Sequence, residues 1–192
     1  SGEGADAVNY ETIMYEAYAP GSVAMLIECL TDNRNRAVSD VRVAVTRNGA
    51  TMADGGSVQR LFERKGVVTV SKTFEVTEGR KTTTHEVDED QLMEATLEAE
   101  PEDIVDLGEA FEIICDPNAI VDVRKAIQAA DIDYDSAEVE FRAGFAQPVE
   151  LEDARKIAKI TELLEDLDDV QNVYTNADIT PELAAALEED ED

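Results

Sequence analysis

The alternation of apolar and polar positions opens with two strand-like runs. YETIMYEAY (residues 10–18) and SVAMLIECL (22–30) are rich in apolar and aromatic residues, and the turn residues Ala19, Pro20 and Gly21 join them. The pattern predicts an antiparallel pair. TDNRNRAVSDVRVAVTRNG (31–49) then changes to helical spacing, with Val38, Val41 and Val45 plus Ala37 and Ala44 on one stripe. Thr31 or Asp32 is placed to cap this helix, and Gly49 to end it. Arg36 and Arg47 fall opposite the valine stripe, where solvent is expected. The next segment, NGATMADGGSV (48–58), lacks the Gly-Lys-Ser/Thr ending of a phosphate loop and reads as a flexible loop rather than a ligand cradle.

A second series follows. GVVTVSKTFEV (66–76) is a strand with alternating valines, and EGRK (78–81) is a turn. DEDQLMEATLEAE (88–100) is an amphipathic helix through Leu92, Ala95 or Thr96, and Ala99, and DIVDL (103–107) and AFEIICD (110–116) are strands. PNAIVDVRKAIQAAD (117–131) has Pro117 in its first turn and a stripe of Ile120, Val123 and Ile127, and SAEVEF (136–141) is again a strand. The order strand, helix, strand, strand, helix, strand is the ferredoxin-like split βαβ pattern. One more helix, with Leu151, Ala154, Ile157, Thr161 and Leu164 on a face, and the strand VQNVYTN (170–176) complete the chain. The expected fold is therefore α+β with two domains. A discontinuous α+β domain spans residues 10–71 and 144–181, and a ferredoxin-like βαββαβ domain is inserted at 72–143. Residues 1–9 read as a linker and 182–192 as a solvated acidic tail.

Composition agrees with a chain that folds: 192 residues, 43% hydrophobic and 32% charged. No apolar run reaches the roughly 18 to 20 residues that cross a bilayer, and SGEGADAVNYE has neither a basic nor an apolar leader region, so a cytoplasmic address is expected. Cys29 and Cys115 lie in apolar runs without metal-type spacing and read as buried thiols of a reducing compartment.

Charge changes the picture. The net charge of −29 repels polyanions on average. Between Thr31 and Lys72, however, eight basic residues face four acidic ones, a local +4, and the remainder of the chain carries −33. The charge is segregated along the sequence.

Enzyme chemistry finds little to use. The lone histidine, His85, lies in the polar stretch TTTHEVDED, and no serine stands in a nucleophile-elbow motif. The acidic runs DEDQ and EEDED lack the spacing of a calcium loop. Glu28, a carboxylate inside the apolar strand 22–30, reads as a residue facing solvent or a partner arginine. No catalytic residue, metal or cofactor is expected, and a non-enzymatic protein is the reading.

Three motifs in register, YEAYAPGSVAMLIECLTDNRNR, GSVQRLFERKG and LEDLDDVQNVYTN, resemble the YebC/PmpR family from about Tyr10 to Asn176. Ala17, Ala19 and Ser22 stand where that family usually has glycine, and NGATMA replaces its glycine-rich loop. The resemblance implies a non-enzymatic regulator of gene expression acting through nucleic acid, a probable DNA-binding transcriptional regulator. It also admits a ribosome-associated translation factor that relieves stalling at difficult stretches such as proline runs. It implies three domains, of which this chain holds the second and third and lacks the lysine-rich N-terminal helical one. DNA or ribosomal RNA is then the expected partner, bound mainly with the help of that N-terminal domain, without membrane or small-molecule substrate. A third reading is an acidic module that docks a basic protein. The candidate nucleic-acid or ribosome contacts are Arg36, Arg47, Arg60, Arg64 and Lys65, whereas Arg34 and Arg42 are expected to pair with the protein's own carboxylates.

Overall fold

A computed structural model describes residues 9–190, so all but the last residue of the expected linker 1–9 lies outside the described residues. In chain order the elements are β1 (Glu11–Ala19), β2 (Val23–Thr31), α1 (Arg34–Thr46), β3 (Thr51–Met52) and β4 (Phe62–Ser71). β5 (Thr73–Glu78), β6 (Lys81–Glu86), α2 (Glu89–Thr96), β7 (Asp103–Asp106), β8 (Ala110–Cys115), α3 (Ile120–Ala129) and β9 (Ser136–Ala143) follow. β10 (Gln147–Pro148), α4 (Leu151–Glu165), β11 (Val170–Thr175), β12 (Ala177–Asp178) and α5 (Pro181–Glu189) end the series. The chain divides into two units, one of Ser1–Glu63 with Arg142–Asp192 and one of Arg64–Phe141. The second unit starts ahead of Lys72 because its first strand is already under way at Phe62.

The first unit is built on a four-stranded sheet in the order β11-β2-β1-β3. β1 and β2 are antiparallel from Ala19 opposite Val23 to Glu11 opposite Thr31. Gly21 and Ser22 close their hairpin with φ of 82° and 63°, the left-handed region that a glycine enters without steric cost. Strand alternation sends Tyr15, Ala17, Ala19, Val23, Met25, Ile27 and Cys29 to one face, where they pack with Val41 and Val45 of α1 and Ile157, Ile160 and Leu164 of α4. α1 has its expected buried stripe of Ala37, Val41, Ala44 and Val45, with Val38 half-buried. Its cap is Asn33, not Thr31 or Asp32: the Asn33 side chain accepts from the Arg36 N–H at 3.1 Å, and the Thr31 hydroxyl accepts from the Asn33 N–H.

The second unit has the sheet order β7-β8-β4-β9, and β8 runs antiparallel to both β4 and β7. With α2 following β4 and α3 following β8, this is the inserted ferredoxin-like βαββαβ unit of an α+β fold. Val68, Val70, Leu92, Phe111, Ile113, Val123 and Ile127 form its core.

Two further expectations are corrected. The strand expected over 66–76 breaks at Lys72, whose backbone N–H bonds to Glu109 and whose carbonyl accepts from Val87. Residues past the break turn into a separate antiparallel hairpin, β5 with β6. The segment expected as a solvated acidic tail from residue 182 is helical through Glu189. Thr180 caps α5 by accepting from the Leu183 N–H at 3.2 Å, Pro181 opens its first turn, and Arg155 of α4 pairs with Asp190 at 2.6 Å. Residues 191 and 192 lie outside the described residues. No helix among the described residues is long and apolar enough to cross a membrane.

Candidate nucleic-acid interface

The five candidate contact residues divide between the units: Arg36, Arg47 and Arg60 belong to the first, Arg64 and Lys65 to the second. Arg36 and Arg47 are eleven residues apart, which places them about 20° from each other around α1. Both are exposed, opposite the buried stripe.

Their surroundings differ. The Arg36 guanidinium donates through Nε to Asp169 Oδ2 at 3.0 Å and through Nη2 to Asp169 Oδ1 at 2.9 Å, and also reaches Asp32 at 2.7 Å. Asp169 is buried, and the Arg36 hydrogen bonds, opposed by that burial, hold its carboxyl below the usual range. Arg36 is thus an internal fastener between the start of α1 and the residue before β11. Lys65 is held by Glu102, with Nζ at 2.8 and 3.0 Å from the two carboxylate oxygens.

Arg47, Arg60 and Arg64 are exposed, and their guanidinium groups make no ion pair among the described residues. Exposure without an ion pair is not confined to these three among the described residues: Arg80 on the second unit shares it. Arg34 pairs with Glu11 at 2.9 Å as expected. Arg42 does not: it is exposed, and no carboxylate among the described residues pairs with it. Its exposed neighbours one turn away on α1, Ser39 and Thr46, offer no negative charge.

The loop before Arg60 is not loose. Glu16, mid-strand in β1 and only 5% exposed, accepts backbone N–H bonds from Gly56 at 2.6 Å, Val58 at 2.8 Å and Gln59 at 2.7 Å. Burial pushes the Glu16 carboxyl up, but the three donors outweigh it and hold the group below its ordinary value. Glu16 points away from the helices, on the face of Leu26, so the segment 56–59 folds across that second face of the sheet and buries Val58. The loop is therefore a cradle whose anion is the chain's own carboxylate, and it fixes the short helical turn Gln59–Leu61 that presents Arg60. Sequence reasoning missed Glu16. Its signal was a carboxylate between Tyr15 and Ala17, at a strand position where its neighbours are core.

The other groups weighed for chemistry are dispersed. Glu28 accepts from Asn172 Nδ2 at 2.7 Å on the neighbouring strand, not from an arginine. His85 lies on β6, stacked on Phe74 with ring centroids 5.3 Å apart. Cys29 and Cys115 are buried and unbridged, and burial pushes the Cys29 thiol up to about 11. Three or more His, Cys, Asp or Glu side chains in metal-binding proximity do not occur among the described residues.

The chain is similar to several known proteins. The family described as TACO1/YebC second and third domain matches residues 10–177. A probable transcriptional regulatory protein of Cutibacterium acnes is 78% identical over 191 residues, covering 100% of this chain and 72% of that protein. One from Mycobacterium tuberculosis is 53% identical over 190 residues, covering 99% of this chain and 71% of its own length. The crystal structure of a conserved hypothetical protein from Aquifex aeolicus superposes with a TM-score of 0.76 at 32% identity, over 90% of this chain and 67% of that one. With the motifs, the two-unit α+β fold and these relatives in agreement, the chain belongs to the TACO1/YebC family of regulatory proteins.

Proposed function

We propose that this protein regulates gene expression without enzymatic activity of its own, through nucleic acid, and that Arg47, Arg60 and Arg64 contact phosphates. The observation that supports this most directly is that these three guanidinium groups stay exposed and unpaired among the described residues of a strongly acidic chain. Phosphate contacts position a ligand without reading bases, so this set gives affinity and register but no sequence preference. Arg36 and Lys65, engaged by Asp169 and Glu102, are left to structural roles. Relatives named as probable transcriptional regulatory proteins support a role in transcription, for which duplex DNA is the ligand proposed here.

The test is the salt dependence of binding. Each phosphate neutralised contributes about 0.7 to 0.9 to the slope of log affinity against log salt. Replacing Arg47, Arg60 and Arg64 with alanine should weaken binding to duplex DNA and flatten that slope by about 2 to 3. Replacing Lys65 should leave the slope unchanged. An unaltered slope in the triple variant refutes the contact set, and binding confined to ribosomal RNA or ribosomes refutes DNA as the ligand.

A further inference from the structure

Beside the nucleic-acid reading, and independent of it, the second unit has a groove of about 590 Å³ between α2 and the start of β7. Its floor is apolar: Met93 and Leu97, one helical turn apart, with Ile104 of β7. Met93 is 54% exposed and Leu97 72% exposed. α2 anchors itself to the core through Leu92 and Thr96, the positions just before Met93 and Leu97 and about 100° around the helix from them. A helix that shows solvent only polar groups needs neither residue.

The rim is of one sign. Glu89, Glu100 and Asp103 line the groove together with Glu102, and no lysine or arginine lines it. Lys65 reaches Glu102 from outside that lining. At Glu100 the backbone is left-handed, with φ of 50°, which turns the chain from the helix into Pro101 and β7 and closes the end of the groove.

We propose that this groove docks a basic amphipathic segment of another protein, with two apolar side chains over Met93 and Leu97 and lysine or arginine against the carboxylate rim. Charge complementarity selects this occupant. A second copy of the chain, at a net charge of −29, meets the same rim with repulsion, and a nucleic-acid backbone does so too. Flexible methionine and leucine side chains under an acidic rim suit an amphipathic basic helix, which contributes apolar anchors at helical spacing and cations around them.

The probe is a short fluorescent peptide of leucine and lysine arranged as an amphipathic helix, titrated with the intact chain. The Met93→Ser/Leu97→Ser variant keeps every charge, so diffuse attraction to the acidic surface is preserved while the apolar floor is lost. It should bind the probe about tenfold to a hundredfold more weakly. Glu89→Gln/Glu100→Gln/Asp103→Asn should flatten the salt dependence. Equal affinity of the serine variant and the intact chain overturns the proposal. Concentration-dependent self-association that the serine variant abolishes overturns it in favour of a second copy. A photoreactive version of the peptide provides a readout without substitution: cross-links on α2 support the site, and cross-links elsewhere overturn it.

Discussion

Arg36 and Asp169, separated by 133 residues in sequence, meet in a two-pronged ion pair with bonds of 2.9 and 3.0 Å. The pair joins the two chain segments of the discontinuous unit, because Arg36 precedes the inserted unit and Asp169 follows it. Two parallel N–H donors on a planar group match the two oxygens of a carboxylate, a geometry that lysine cannot reproduce.

Arg36→Lys should therefore behave more like Arg36→Ala than like the parent, with both lowering the urea midpoint of unfolding. The pH dependence has a definite sign. Asp169 is held below its ordinary 3.8 when folded, so its contribution is fully present above that value and is lost as pH falls through the folded value. In the Arg36 variants that acid-side loss should shrink. Equal midpoints for parent and both variants between pH 3 and 7 would falsify the fastener role.

Glu16 makes a second acid-sensitive contact. Removing its side chain leaves the N–H groups of Gly56, Val58 and Gln59 without their acceptor, at a cost of about 2 to 3 kcal/mol. Glu16→Gln keeps an oxygen but forfeits the charge, and should cost less than Glu16→Ala. Because the folded carboxyl lies below its ordinary 4.5, its stabilisation is complete above that value and disappears as pH drops through the folded one. Hydrogen exchange at the Val58 and Gln59 amides reads the clamp directly. Slow exchange that survives Glu16→Ala would show that the loop is held by something else.

Much of the fold was legible because apolar spacing and burial coincide. Val41 and Val45 read as a helix stripe and are buried, and the valines of β4 read as a strand and are core. What failed to read has physical reasons. β6, KTTTHE, is exposed along its whole length, so no alternation marks it. α5 is fixed by Thr180, Pro181 and the Arg155–Asp190 pair, whereas the acidic run 188–192 that begins at its end reads as a tail. The arginines show the same limit. A helical wheel places Arg36 and Arg47 on one exposed side, but only the folded chain brings Asp169 to one of them.

The separateness of the second unit leads to the last prediction. β4 opens it and β9 closes it, and these two strands are neighbours in one sheet. A domain whose chain ends lie side by side is the kind that tolerates insertion into another. Its core, from Val68 to Ile132, is drawn from its own elements. Expressed alone as residues 62–143, it should unfold in a single cooperative urea transition. Gly66 gives that experiment a second readout. It stands opposite Cys115 on β8, and a Cβ added there would lie 2.8 Å from Cys115 Sγ and 3.1 Å from Ile120 Cβ. Gly66→Ala should cost about 1 to 3 kcal/mol through overpacking. The loss should be the same in the isolated fragment as in the second unit of the intact chain, since both contacts are internal to that unit. A fragment without a cooperative transition, or a Gly66→Ala penalty that appears only in the intact chain, would mean that the inserted unit depends on the rest of the chain for its fold.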